Sequence, residues 1–268
     1  MGKIVIITGA SSGMGKATAD YLSQKGHTVI GTCRTPDNYP TPDTYSLLPL
    51  DLTKQESISK FIAYFQEQKI VPEILVNNAG VGITGPAEEI EMDAIRTHFE
   101  TNFFGPIALT QGLLPLMREA SEACIINITS IAGFSGLPFR SIYSASKSAL
   151  SIYTEALRME LKSASIRVAT LAPGDYATDI ATRRYHSTVI KGSPYEAIYT
   201  EALSTMDAHV DEGSDPILIA KEIEKIIYTK KPKVHYISGQ WLQKFSVVLK
   251  GIVPSRWYEK LIQNHYNL

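Results

Sequence analysis

A β-branched run from Lys3 to Thr8 breaks at a cluster of glycines, and a helical pattern then runs from about Met14 to Lys25 before a second strand, His27 to Cys33. That order is a β-α-β opening. The alternation continues with a strand near Tyr45 to Leu50, a helix from Lys54 to Gln68, a strand from Glu73 to Asn77 and helices through Met117. A strand from Ala123 to Thr129, a helix to Lys162 and a strand from Ile166 to Leu171 follow. Strands and helices taking turns in this way predict an α/β chain: a parallel sheet with helices on both faces.

From Asp175 to Asp215 the pattern loosens, and tyrosines gather at Tyr176, Tyr185, Tyr195 and Tyr199. An insertion of that length is usually functional or unstructured, so about 175–215 reads as a substrate loop. A helix at Pro216 to Thr229, a strand at Val234 to Ile237 and an aromatic-rich extension at about 239–268 complete the chain. No repeat or low-complexity linker interrupts the 268 residues, which predicts one domain over 1–268. At 44% hydrophobic residues it can bury a sizeable core. A formal net charge of -1 gives no electrostatic case for nucleic acid or for an anionic membrane, so a small substrate is expected.

Cys33 and Cys124 form no C-x-x-C pair, so neither a metal site nor a disulfide framework is expected, and a reducing cytoplasm fits. Ile4 to Ile7 is too short an apolar run for a signal peptide. No run approaches ~18 apolar residues, which argues against a membrane span. Asn127-Ile128-Thr129 matches a glycosylation sequon but ends a predicted buried strand, and reads as chance.

Chemistry concentrates in Tyr143-Ser144-Ala145-Ser146-Lys147. On a helix, residues four apart share a face one turn apart, so the phenol and the ammonium can be coupled. A free tyrosine, with a pKa near ~10, exchanges protons poorly at neutral pH. Moving it by ~3 units takes about 4 kcal/mol, roughly what one unit charge at ~4 Å supplies at an effective dielectric of ~20. Taken alone, the pair could equally be a surface contact on an amphipathic helix.

Thr8-Gly9-Ala10-Ser11-Ser12-Gly13-Met14-Gly15 links a strand to a helix, where a dinucleotide pyrophosphate would meet free backbone N–H groups and the positive end of a helix dipole. Its spacing departs from G-x-G-x-x-G. Together with Asn77-Asn78-Ala79-Gly80, Ser130 ahead of Tyr143, the Tyr143/Lys147 pair and Pro173-Gly174, it resembles the short-chain dehydrogenase/reductase family, single-domain type. The similarity spans nearly the whole chain and weakens after Thr178.

The resemblance implies a Rossmann-like fold, a doubly wound parallel sheet in three α/β/α layers, and hydride transfer. Tyr143 would give a proton to a carbonyl, or take one from an alcohol, while Ser130 would bond the same oxygen or, on the alternative, cap the next turn. Lys147 would tune Tyr143 and hold the nicotinamide ribose. Asn102 matches the fourth catalytic position. Pro106, lacking an N–H, would leave the Asn102 carbonyl free to bind a water joining Lys147 to solvent. The cofactor would be held by Gly9, Ser11, Ser12, Gly13, Met14 and Gly15; by Arg34, Thr35, Asp51 and Leu52; by Asn78, Ala79 and Gly80; and by Tyr143, Lys147, Pro173, Gly174 and Thr178. Asp51 could instead belong to the cap region of the next helix.

At the end of the second strand Cys33 stands where NAD enzymes carry an acid, and Arg34 follows. A guanidinium matches a 2′-phosphate, so NADP(H) is favoured and NAD(H) stays open. Lys16 is expected to point to solvent. Gly80 to Pro86 is most similar to steroid- and retinoid-type members, implying a lipophilic ketone or secondary alcohol, steroid-like, retinoid-like or long-chain. Val81, Ile83, Phe134, Leu137, Pro138, Phe139, Ile180, Tyr185 and Val189 are candidate pocket residues.

Leu150, Tyr153, Leu157 and Leu161 form an apolar stripe that would pack against a second copy, giving a homodimer or homotetramer, or else face the chain's own sheet. The tail, with Trp241, Phe245 and Trp257 among Lys244, Lys250, Arg256 and Lys260, could cover the core, close the cleft, meet another subunit or lie peripherally on a membrane. The alternative function is a catalytically quiet NADPH sensor or scaffold, which would have no need of a proton donor.

Overall fold

In the first strand, β1 (Ile4–Thr8), Val5 and Ile7 join one buried cluster and Ile6 joins another, as side chains alternating across a strand require. Both faces of the sheet therefore need a helical cover. The computed structural model describes residues 2–40, 42–177, 184–211 and 213–268. After β1 come α1 (Gly13–Gln24), β2 (Thr28–Cys33), β3 (Ser46–Pro49), α2 (Gln55–Glu67), β4 (Ile74–Asn77) and β5 (Ile83–Thr84). Then come α3 (Met92–Phe99), α4 (Gly105–Met117), β6 (Ala123–Ile128), α5 (Ser141–Glu160), β7 (Ile166–Pro173) and β8 (Tyr185–His186). The chain closes with α6 (Glu196–Asp211), α7 (Ile217–Tyr228), β9 (His235–Ser238), α8 (Trp241–Ile252) and α9 (Ser255–His265).

Seven strands pair in parallel in the order β3-β2-β1-β4-β6-β7-β9. This is the doubly wound sheet expected. On one face Ala19 and Leu22 of α1 and Ile219, Ile223 and Ile226 of α7 pack against Val5, Ile7 and Val76. On the other, Phe61 and Phe65 of α2, Leu109 and Leu113 of α4 and Leu157 of α5 cover Ile6, Leu75 and Ile125. Each fully buried aliphatic side chain contributes roughly 1.5–3 kcal/mol.

A polar seam crosses this core. Asn77 Nδ2 donates to Asn127 Oδ1 at 2.8 Å and to Thr110 Oγ1 at 3.1 Å, and Asn127 Nδ2 donates to Thr154 Oγ1 at 2.8 Å. The seam fastens β4 and β6 to α4 and α5. Asn127, fully buried and bonded at both ends of its amide, is closed to glycosylation in the folded chain.

Three features differ from the sequence expectation or refine it. Of the two readings of the apolar stripe on α5, the one in which it faces its own sheet holds: Leu150, Leu157 and Leu161 are buried, and Tyr153 packs on the core. The apolar residues exposed on that helix are Ile152 and Met159. The loosened stretch contains α6, and its β8 pairs in parallel with β5, Ile83 opposite Tyr185 and Thr84 opposite His186. Finally, a π turn over Glu100–Phe104 joins α3 to α4.

Candidate active site

The strand ends on the β1/β4 side of the sheet open into a cleft with two halves. The first, about 270 Å³, is lined by Gly9, Ser11, Ser12, Gly13, Met14 and Gly15, by Arg34, Thr35, Asp51 and Leu52, by Asn78, Ala79 and Gly80, and by Tyr143 and Lys147. At Gly9 the backbone takes φ +70°, and a Cβ there would stand 2.9 Å from the Ala79 Cα. Only glycine lets the turn approach β4 so closely. Asn78 fastens that approach: its Nδ2 donates to the Thr8 carbonyl at 2.8 Å, and Thr8 Oγ1 accepts from the N–H groups of Asn78 and Ala79.

The helix α1 then starts with no side-chain oxygen capping it and no acid in its first turn. Its leading N–H groups and positive dipole end border the cleft, an arrangement suited to a phosphate. These residues fit an extended dinucleotide. Arg34 is exposed at the rim beside Cys33, whose thiol burial pushes up. Lys16 is exposed and paired with Asp20 at 2.6 Å. Asp51 serves locally as well: its Oδ1 accepts from Thr53 N at 3.0 Å and Thr53 Oγ1 at 2.7 Å, an Asx-type turn, while Lys54 is the N-cap of α2. Burial works against the Asp51 carboxylate, but the Thr53 bonds and the charges of Lys54 and Arg34 outweigh it and hold the group below its usual range.

The second half, about 460 Å³, contains Ser130, Pro173 and Gly174. Tyr143, with Met14, Gly82 and Thr129, lines both halves. Tyr143 therefore stands where they meet. Lys147, 5% exposed, donates from Nζ to the Ile128 carbonyl at 3.0 Å, and burial pulls its pKa down to about 8. A Cβ at Gly80 would lie 3.3 Å from both Lys147 Nζ and Asn102 Oδ1, so these two groups flank one narrow gap. Asn102, 1% exposed, accepts from Val81 N and donates to Val81 O, each at 2.9 Å.

His98 completes this cluster, and no sequence motif drew attention to it. Its Nε2 lies 2.9 Å from Ser146 Oγ and 3.1 Å from Asn102 Nδ2, and its ring meets the Tyr143 ring edge-on at 6.0 Å. Burial first, then the Lys147 charge, lowers its pKa to about 3, so the imidazole is neutral at physiological pH. Ser146 Oγ in turn donates to the Tyr143 carbonyl at 2.9 Å. Ser130 caps the 3-10 turn Ile131–Phe134, accepting from Ala132 N at 3.2 Å. The capping alternative is thus realised, and because the oxygen only accepts in that bond, the hydroxyl keeps its own proton to donate.

Of the expected pocket residues, Ile83 and Leu137 line the larger half, while Val81 lines the smaller. Phe139 is buried instead against Tyr199 and Tyr266, and Phe134 meets the His235 ring. Pro138, Tyr185 and Val189 line neither half. Thr178 and Ile180 lie outside the described residues. The sequence reading missed Arg140, Arg184 and the inward residues of the tail, Gln243, Tyr258, Ile262 and Tyr266. Only the i, i+4, i+8 spacing of Tyr258, Ile262 and Tyr266 could have flagged them.

With this geometry in hand, comparison with known proteins is direct. A family model described as short chain dehydrogenase matches residues 3–188. The chain belongs to that family. This short chain dehydrogenase is 32% identical over 265 residues to the 3-ketodihydrosphingosine reductase of Bacteroides thetaiotaomicron, covering 98% of each chain. It is 30% identical to the NADPH-dependent 3-dehydrocapnine reductase of Ornithobacterium rhinotracheale, covering 97% of this chain and 95% of that one. Its fold matches a solved short-chain dehydrogenase from Streptomyces avermitilis with a TM-score of 0.82 and 31% identity, over 99% of this chain and 97% of the other. Members of the family are oxidoreductases that use nicotinamide cofactors.

Proposed function

We propose that this short chain dehydrogenase interconverts a lipophilic ketone and its secondary alcohol with NADP(H). The observation carrying the proposal is Tyr143, whose side chain borders both the glycine-turn half of the cleft and the larger cavity. The dinucleotide, when bound, supplies or takes up the hydride. In reduction the Tyr143 hydroxyl gives its proton to the carbonyl oxygen, and Ser130, already accepting from Ala132 N, donates its hydrogen bond to that oxygen. Lys147, with a pKa near 8, can exchange protons near working pH and so return one to Tyr143. Its route to solvent runs past Asn102, whose carbonyl binds the connecting water.

NADP(H) is supported by Arg34 at the rim, where a 2′-phosphate would meet a guanidinium and no acid stands in the place of Cys33. The apolar lining from Ile83, Leu137 and Ile262 supports a lipophilic substrate. Reduction of a ketone accords with the names of the two curated relatives. Exposed Phe104 on the π turn and Ile152 and Met159 on α5 support assembly with a second copy, which sedimentation velocity would test. Two buried, unpaired cysteines fit a cytoplasmic site of action.

The test is NADPH oxidation, followed by absorbance, across a panel of lipophilic ketones. Tyr143→Phe should keep NADPH affinity and lower kcat about 10²–10⁴-fold, the usual contribution of a positioned acid. Turnover unchanged in that variant would remove Tyr143 from the mechanism.

A further inference from the structure

The chain has two tryptophans, and both stand in water: Trp241 is 70% exposed on α8 and Trp257 is 71% exposed on α9. Along α8 they continue into a ridge, with Phe245, Val248 and Ile252 exposed at helical spacing and the Trp241 and Phe245 rings stacked 5.2 Å apart. On α9, Leu261 stands one turn beyond Trp257. Neither helix buries any residue completely. Their inward sides, Gln243 and Ser246 on α8 and Tyr258 and Ile262 on α9, line the larger cavity. The apolar ridge is therefore the outer surface of the cavity's own cover. Leu242 belongs to both, being exposed and lining the cavity.

A contiguous exposed apolar ridge of this kind marks an interaction site. Its charge decides the kind of partner. Lys244, Arg256 and Lys260 are exposed on these helices, with Lys250 turning its ammonium to the Phe134 carbonyl, against one carboxylate, Glu259, in a chain whose overall charge is -1. Arg256 and Lys260 flank Trp257 and Leu261 directly, and Lys244 stands between Trp241 and Val248. Aromatic and aliphatic side chains on one face with cations beside them are the chemistry of a helix lying in a lipid interface. No helix among the described residues is long and apolar enough to span. A second copy fits less well, because a two-fold contact would set the same basic row against itself.

We propose that α8 and α9 dock this protein on an anionic bilayer, with the cavity's cover against the lipid. A lipophilic ketone would then pass from the membrane to the cavity at Leu242. That purpose rests on the substrate class proposed above; the docking does not.

The two tryptophans make the test direct, since both lie on the proposed face. Full-length protein is titrated with vesicles of equal parts phosphatidylglycerol and phosphatidylcholine, and with phosphatidylcholine alone. Tryptophan emission should move to shorter wavelength, and the protein should sediment with the anionic vesicles and be released by salt. Val248→Asp with Leu261→Asp, which keeps both reporters and touches no cavity residue, should abolish both signals while leaving NADPH-dependent turnover of a short, water-soluble ketone unchanged. Lys260→Gln should weaken vesicle binding about fivefold. Unchanged emission and no sedimentation at low salt would overturn the proposal. So would an emission shift that needs no lipid, grows with protein concentration and tracks a doubling of mass, for then a second copy covers the ridge. Vesicle binding without turnover of any ketone would sink the substrate assignment and leave the docking standing.

Discussion

Replacing Lys147 with methionine should make the cofactor-free protein more stable while ending its turnover. The ammonium is buried, its hydrogen bond goes to the Ile128 carbonyl at 3.0 Å, and it has no ion pair among the described residues. Burial lowers its pKa from 10.5 to about 8, a differential cost to the charged form of about 3 kcal/mol. Methionine matches the stem in volume and removes the charge, but it also leaves the Ile128 carbonyl without this donor, which returns about 1 kcal/mol. The net gain is about 2 kcal/mol at pH 7, or about 4 °C in Tm for a chain of this length.

The pH dependence fixes the cause. Below pH 8 both folded and unfolded chains carry the proton, so the full penalty applies. Between about 8 and 10.5 the unfolded chain binds more protons than the folded one, so wild-type stability rises with pH and the gap to the variant closes. Above 10.5 the lysine is neutral in both states and the charge penalty is gone. Thermal melts of the two cofactor-free proteins at intervals from pH 7 upward read this directly. A variant that melts at or below wild type at pH 7, or a gap that stays constant across the window, would refute the argument that Lys147 is held as a strained, desolvated cation.

Arg34→Asp should lower kcat/KM with NADPH about 10–100-fold, the loss of a charge-assisted phosphate contact, and raise the relative use of NADH; an unchanged ratio of the two would remove Arg34 from cofactor choice. Pro106→Ala restores an N–H one helical turn beyond the Asn102 carbonyl and should lower kcat about tenfold by occupying the oxygen assigned to the relay, with NADPH affinity unchanged. Steady-state kinetics with a separate fluorescence titration of NADPH would separate those two effects.

The fold was legible because parallel strands and their crossover helices write long, simple patterns. β1 to β4, β6 and β7 fall within a residue or two of their expected ends, since β-branched runs bounded by glycine or asparagine leave little choice, whereas the two-residue β5 was not expected. The glycine-turn half of the cleft was legible for a related reason: Gly9 and Asn78 answer local geometric demands that few residues can meet. The lining of the larger cavity was not. It comes from Arg140, Arg184 and the tail, side chains gathered by tertiary folding with nothing local to mark them. The stripe on α5 left two readings open, because helical spacing shows that one face is apolar, not which neighbour it meets; Leu157 and Leu161 meet their own sheet.

Pro106 shows how one residue can shape a loop two elements away. An α-helix continuing from α3 would require the Pro106 nitrogen to donate to the Asn102 carbonyl, which it cannot. The backbone instead forms a π turn, with Gly105 N reaching back five residues to Glu100 O. The extra residue in that turn keeps Asn102 buried while Phe104 is left exposed. Held there, the Asn102 amide satisfies both backbone groups of Val81 and so fixes the loop that follows β4 over the Lys147 ammonium. The break in the helical ladder at Pro106 is thus the same break that orients the Asn102 side chain. A helix repaired at that point would turn the Asn102 amide away from Val81, which is why a proline at the head of α4 suits this loop better than a residue that helices tolerate.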